Sequence, residues 1–296
     1  MKRQNHFKHR KGKRFWVAVF IGIAAFLFVS IFYRAKNYLD KNSPYYSGNY
    51  AVNIPKTTED ISVVTYNIWF AQDIDQAILD LGKIGAQRNL DIVLLQEMDE
   101  SGVERIAREL QLNYVYYPAA IEPTYHKNFG NAILSRWQIT DSQKLILPHK
   151  SFSNRMSRIA TRATIRIQDV EILVYCLHTE SIFSIPQFRE DQYKAVLNDI
   201  DHQAKLVIIG GDFNSFTKAD AKKVEEIYKQ GGFMRASDGS GNSLFKFGIG
   251  APADHLFTRG FVVKGTGVLS EATASDHLPL WVTLKMKTTY ISAQAE

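Results

Sequence analysis

Apolar positions along the chain fall into three regimes. The first is unbroken: "FWVAVFIGIAAFLFVSIFY", residues 15–33, carries no charge. As a helix it would be about 28 Å long, close to the ~30 Å hydrocarbon thickness of a bilayer. It ends in bulky residues and lacks a small-x-small cleavage site. The reading is therefore an uncleaved transmembrane helix, with a cleaved secretory leader as the alternative. The second regime, residues 34–59, is rich in Tyr, Asn, Ser and Lys, contains Pro44 and Pro55, and has no sustained period. It reads as a stalk whose tyrosines favour the membrane–water boundary.

The third regime, residues 60–286, alternates between strand and helix patterns, and residues 287–296 are left as a short tail. "ISVVTYNIWF" (61–70) and "DIVLLQEM" (91–98) read as strands, and Ile74, Ile78, Leu81 and Ile84 form one stripe of a helix over 73–88. Ser101-x-x-Glu104 reads as a capping box that opens a helix burying Val103, Ile106, Ala107 and Leu110. Strand patterns follow at 114–119, 131–136, 159–167 and 170–178. Then come a helix near 187–202, a strand at 205–211, a helix near 217–230, and strands at 255–260, 262–269 and 278–285. In 159–167, Arg162, Thr164 and Arg166 share one face, which predicts a sheet with one wetter side. Strands mostly in pairs, separated by helices, predict an α/β sandwich of two packed sheets with outer helices.

Charge sharpens this division. The chain has 296 residues and a formal charge of +6, yet residues 1–14 hold seven of the 36 Lys and Arg and no acid. The remainder carries 29 bases against 30 acids, so the basicity belongs to the tail and gives no support for a general nucleic-acid surface. With positive charge concentrated ahead of the apolar segment, the positive-inside rule predicts a single-pass plasma (inner) membrane protein. Residues 1–14 would be a cytoplasmic tail and residues 34–296 extracytoplasmic. The single cysteine, Cys176, cannot form an internal disulfide and reads as a small core residue.

Polar residues recur where the strand patterns end. They are Asn67 in "TYNIWF", Glu97 in "LLQEMDE", His178 in "VYCLHTE", Asp212 and Asn214 in "GGDFNS", and the Asp-His pairs of "ADHLF" and "SDHLP". Singly, each is better read as a turn, a helix-leading acid or a structural histidine. Together they predict one oxygen-rich site at an edge of the sandwich. Carboxylate and amide oxygens suit Mg²⁺ or Mn²⁺ better than Zn²⁺, with Glu97 the strongest ligand and Asn67 beside it. Arg155 and Arg158, just ahead of the 159–167 strand, can reach anions, although solvated surface arginines are the plainer reading. Trp69 and Phe70 are expected to pack rather than to stack on a substrate, and Gly210 and Gly211 to let the chain turn as its strand leaves the core.

In this order and at these intervals, "TYNI", "LLQE", "GNAILS", "LHTE", "GGDFN", "ADHLF" and "SDHLP" resemble the endonuclease/exonuclease/phosphatase superfamily. The resemblance spans about residues 60–286 and implies a four-layered α/β sandwich that hydrolyses phosphoesters. It implies that Asp212 positions or deprotonates the attacking water and that Asn214 orients the phosphate. Asp254 would pair with His277, Asp276 would be an outer metal ligand, and His178 would contact the phosphate or the leaving group. Asn131 sits where an amide often contacts phosphate, and Arg158 is the second substrate contact expected. His255 is read as structural.

The function expected is that of a membrane-anchored, divalent-metal-dependent phosphoesterase. Its substrate would be a lipid head group, a nucleic acid or a small phosphoester, and no protein partner is inferred. An extracytoplasmic nuclease is the alternative, and a catalytically silent surface-binding module is the alternative of another class.

Overall fold

Every residue of strand β3 (Ile61–Asn67) is buried, and its side chains alternate between two cores. Ile61 and Val63 join a core built from both sheets, while Val64 and Tyr66 join a core shared with helices. The same division holds for Ile92 and Leu94 against Val93 and Leu95 in β4 (Ile92–Met98). A strand covered on both faces needs apolar residues at every position, which is why these segments read as unbroken runs. The structure, a computed structural model, describes residues 15–17, 19–22, 34–52, 54–55, 60–246 and 248–287.

The first sheet runs β1 (Lys36–Asn37), β5 (Asn113–Glu122), β6 (Lys127–Ser135), β4, β3, β16 (Leu280–Met286), β15 (Phe261–Val268), with β2 (Tyr46–Gly48) also on β5. The second runs β11 (Met234–Arg235), β14 (Asp254–Arg259), β10 (Val207–Asp212), β9 (Val170–His178), β8 (Ser157–Ile167), β7 (Gln138–Lys150). A separate hairpin joins β12 (Leu244–Lys246) to β13 (Ile249–Ala251). Both large sheets are mixed, with β3–β4 and β9–β10 parallel and β4–β6 and β10–β14 antiparallel. Helices α1 (Ile74–Arg88) and α2 (Glu100–Glu109) bury Leu81, Ile84, Val103 and Ile106 against the first sheet. Helices α3 (Pro186–Asp199) and α4 (Lys218–Gln230) bury Tyr193, Val196, Val224 and Tyr228 against the second. Helices, sheet, sheet, helices: the predicted layers are present.

Local detail departs from the sequence reading in four places. Helix α2 is capped by Asp99, which accepts the Gly102 N–H at 2.7 Å, so the Ser101–Glu104 box does not open it. A full capping box occurs instead on α4, between Thr217 and Asp220. Strand β7 went unread because it is an edge strand with shifts in register, and few of its residues are buried. The described part of the expected stalk lies on the domain: β1 and β2 pair with β5, and Lys144 Nζ donates to Ser43 O at 2.7 Å. Its tyrosines stack there on tyrosines, Tyr45 on Tyr117 and Tyr50 on Tyr114.

Gly210 and Gly211 are the fourth case. They lie inside β10 rather than in a turn, and a Cβ on Gly210 would meet Leu94 of the opposing sheet at 2.6 Å. Gly211 has φ +143, and its Cβ would lie 1.9 Å from Leu177 O on β9. Both glycines are there for close approach. Gly211→Ala is expected to destabilise the fold by about 3 kcal/mol or more, since backbone must move in a strained conformation. The midpoint of denaturant unfolding reads this directly; an unshifted midpoint would contradict the close packing.

Among the described residues no helix is long and apolar enough to cross a membrane. Residues 15–17 and 19–22 are helical. The rest of the apolar segment, the basic tail and residues 288–296 lie outside the described residues.

Candidate active site

Five strand ends converge through register within each sheet and the packing of one sheet on the other. Asp212, the last residue of β10, is aligned with His178 of β9 on one side and with Asp254 of β14 on the other. Asn67 ends β3, and its Nδ2 donates to Asp212 Oδ2 at 3.0 Å across the two sheets. Glu97 reaches the same place through a bulge in β4 between Leu95 and Met98, where it takes φ +60. Its neighbour Gln96 points into the interior, with Nε2 3.1 Å from both Thr65 Oγ1 and Cys176 Sγ. The bulge turns Glu97 out of regular alternation and toward the site. His277 completes the cluster from the segment before β16, its Nδ1–H donating to Asp254 Oδ2 at 2.7 Å.

Glu97 also fixes its surroundings. Trp69, Phe70 and Ala71 form a 3-10 turn in which all three residues have positive φ, a strained run for non-glycine residues. It is held by Phe70 N–H on Glu97 Oε2 and Trp69 N–H on Asn67 Oδ1, both at 3.1 Å. The turn sets Trp69, 44 % exposed, on the wall of a pocket of about 450 Å³. Glu97, Arg158, His178, Asp212, Asn214, Asp276 and His277 also line that pocket. Trp69 is thus a wall of the site and not the packing residue expected, while Phe70 packs on Phe129 as expected.

Burial sets the charge states. Burial opposes a cation on His277, but Asp254 and Asp212 outweigh it and hold the imidazolium up to about 10. His178 lies 3.5 Å from Asp212 and 3.8 Å from Glu97, yet burial, with Arg158 and His277 nearby, pushes it well below the usual histidine range, so it is neutral. Burial raises Asp212 to about 7, against the pull of His277. Burial also raises Glu97, with Arg158 and His277 pulling the other way. Asp212 therefore stands near half-protonation at neutral pH, between a cationic His277 and a neutral His178.

The acids exceed the cations here. Four acids, Glu97, Asp212, Asp254 and Asp276, face three cations: His277, Arg158, whose Nε already donates to Glu180 at 3.2 Å, and Lys246, whose Nζ donates to Asp276 Oδ2 at 3.2 Å. A desolvated carboxylate with weak partners, beside further acids, fits a hard divalent cation. Glu97 would hold it, flanked by Asn67 and Asp276. As placed, Asn67 turns its amide hydrogens to Glu97 and Asp212, and its oxygen is taken by Trp69 N–H. Asp212, Asp254 and His277 also offer ligand atoms within 4.8 Å of one another. There the protonated His277 has no lone pair free, so that trio reads better as a charged dyad facing a base.

The sequence from 64 to 277, more than half the chain, matches the endonuclease/exonuclease/phosphatase family. The chain belongs to that family. Its members are typically divalent-metal-dependent hydrolases of phosphoester bonds. Two UPF0294 proteins of Vibrio cholerae are 30% identical over 134 residues, 45% of this chain and 47% of theirs. The matched stretch is thus about half the length of these curated relatives. Among solved structures, an endonuclease/exonuclease/phosphatase from Beutenbergia cavernae aligns with TM-score 0.63 and 18% identity, over 77% of this chain and 72% of its own. D. rerio TDP2 complexed with a single-strand DNA product gives 0.62 and 16%, over 77% and 100%. The human Nocturnin catalytic domain with bound sulfate gives 0.58 and 16%, over 82% and 97%. At such identities these three share the fold of the family.

Two expected substrate contacts fare differently. Arg158 lines the pocket, with its Nη1 3.3 Å from both ring nitrogens of His178. Asn131 does not line it: buried in β6, it donates to Ile159 O at 2.9 Å and Cys176 O at 3.3 Å, stapling the two sheets. Asn131→Ala is expected to cost about 2–3 kcal/mol of stability, leaving buried carbonyls short of a donor, with KM unchanged. A raised KM at undiminished stability would return Asn131 to the substrate. His255 is wholly buried, bonds Ser215 Oγ at 2.9 Å and does not line the pocket.

Positioning residues were missed. Asp80 is wholly buried in α1, and its Oδ2 accepts from Thr273 N at 3.1 Å, Ala274 N at 3.2 Å and Tyr66 Oη at 3.3 Å. It holds the loop that delivers Asp276 and His277. The signal was present, for an acid on the Ala77–Leu81–Ile84 stripe has no place on a core face without partners. Glu180 is the other, anchored by its N–H on Gln192 Oε1 at 2.8 Å and orienting Arg158.

Proposed function

We propose that this chain is a membrane-anchored, Mg²⁺- or Mn²⁺-dependent phosphoesterase acting outside the cytoplasm, with lipid head groups as its substrate class. The observation that carries the reading is the meeting of Glu97, Asp212, neutral His178 and the Asp254–His277 pair in one pocket. A cation bound at Glu97 would supply Lewis-acid polarisation of the phosphoryl group. Asp212, poised near 7, is placed to take a proton from the attacking water. The His277 cation faces Asp212 at 3.8 Å and is placed to hold charge growing on a phosphoryl oxygen. A neutral His178 contributes an N–H hydrogen bond rather than a charge. Beside Lys246 and Ser181 the rest of the pocket wall is apolar, with Trp69, Phe183, Phe216, Leu244 and Ile249, which favours a phosphate carried on an amphiphile over a polyanion.

A parallel screen of phospholipid vesicles, inositol phosphates, RNA and plasmid DNA in Mg²⁺ tests this. Turnover is expected on phospholipid. Turnover confined to nucleic acid would replace the substrate class with that of a nuclease, and silence on every phosphoester would leave a binding module. For topology, a periplasm-active reporter fused after Glu296 is expected to be active.

A further inference from the structure

The pocket and the start of the domain share an edge. Ala35 packs on the cluster of Ala120, Phe129 and Met156, and Phe70 of the pocket wall packs on the same cluster. Phe129 is itself 5.7 Å from the ring of His178. Ala35 is further fixed by its N–H on Asn154 O at 2.8 Å. The apolar run ends at residue 33, and two residues of chain span no more than about 7 Å. If that run crosses a bilayer, the membrane surface lies beside the mouth of the pocket.

The same edge exposes large apolar side chains. Phe183 on the pocket rim is 92% exposed, Phe152 in the turn next to Ala35 is 86% exposed, and Ile249 at the tip of the β12–β13 hairpin is 56% exposed. They come from three unconnected segments: Phe183 and Ile249 line the opening, and Phe152 stands in the turn that holds Ala35, where a solvated surface has no use for them. Lys36 and Arg155 are exposed near Phe152, where Asn37, next to Lys36, donates its Nδ2 to Arg155 O at 3.0 Å. Apolar side chains flanked by bases suit a lipid surface bearing phosphate head groups.

We infer that the domain docks pocket-down on the bilayer through Phe152, Phe183 and Ile249, so that a head group enters the site without leaving the membrane. This rests on the proposed anchor and lipid substrate. The occupant of the apolar rim is the lipid surface itself, since the tether fixes the rim at its edge.

The full chain, reconstituted into phosphatidylcholine–phosphatidylglycerol vesicles, tests the orientation. An environment-sensitive fluorophore is placed on Phe183→Cys, and in a separate sample on Gln203→Cys, which sits at the opposite end of β10. Cys176 is buried and stays unlabelled. Brominated lipids are expected to quench the probe at 183 at least about twofold and to leave 203 unchanged. Equal quenching at both positions, or none at 183 in protein that floats with the vesicles, would overturn the docking. Protein that fails to float overturns the anchor, and the docking with it. This readout needs no catalysis, so it separates failure of the docking from failure of the phosphoesterase reading. As a second arm, Phe152→Asp, outside the pocket, is expected to slow hydrolysis of vesicle-borne phospholipid about tenfold and to spare soluble bis(p-nitrophenyl) phosphate. Equal loss on both substrates counts against docking.

Discussion

Glu97→Ala is expected to lower Mg²⁺-dependent phosphoester hydrolysis by about 10³-fold or more, while raising the melting temperature of the metal-free protein. Both effects have one cause. Glu97 is a carboxylate taken out of water on a bulge, and burial raises its pKa because its charge is poorly compensated. Removing it relieves the metal-free fold of that buried charge, which outweighs the loss of the acceptor for Phe70 N–H. It also removes the one strong ligand for a cation whose charge stabilisation supplies several kcal/mol, and about 4 kcal/mol corresponds to 10³ in rate. Thermal unfolding with and without Mg²⁺ separates the two. Wild type is expected to gain stability from the ion and the variant to gain none. A variant that is less stable without metal, yet equally stabilised by it, would place the cation elsewhere.

Asp254→Asn is expected to lower kcat/KM by about 10²–10³-fold and to move the alkaline limb of the pH–rate profile to lower pH. His277 is protonated up to about 10 because Asp254 and Asp212 overcome the cost of burial. Asparagine keeps the shape of Asp254 but supplies no charge, so burial is opposed chiefly by Asp212 and the imidazole loses its proton earlier. Stability should follow the same linkage. A folded-state pKa above the unfolded value contributes stability that is full below about 6.5 and is lost as pH rises through about 10. The advantage of wild type over the variant should therefore be largest in acid and vanish in alkali. An unmoved alkaline limb would mean that His277 works uncharged.

What was legible in the sequence was what the fold states by breaking its own pattern. β3, β4, β9 and β10 are apolar runs, so Asn67, Glu97, His178 and Asp212 at their ends stood out; register within each sheet, the packing of the sheets and the bulge at Glu97 brought them together. Asn131 shows the limit of that reasoning. It too breaks an apolar run, but from mid-strand, where the polar group serves the interior by tying two sheets. Composition could not tell a tyrosine at a membrane interface from Tyr45 or Tyr50 stacked on a neighbouring strand. The strained turn at Trp69–Ala71 was also hidden, because it depends on Glu97 and Asn67 accepting its N–H groups across the chain.

The central claim is that Glu97, Asp212 and the Asp254–His277 pair form one metal-dependent phosphoesterase site. Its most direct test is hydrolysis of bis(p-nitrophenyl) phosphate by the full chain in Mg²⁺, titrated with EDTA, beside Glu97→Ala and His277→Ala. Activity is expected in wild type, abolished by the chelator, restored by excess Mg²⁺, and lost in both variants. Hydrolysis indifferent to the chelator and to both substitutions would contradict the claim.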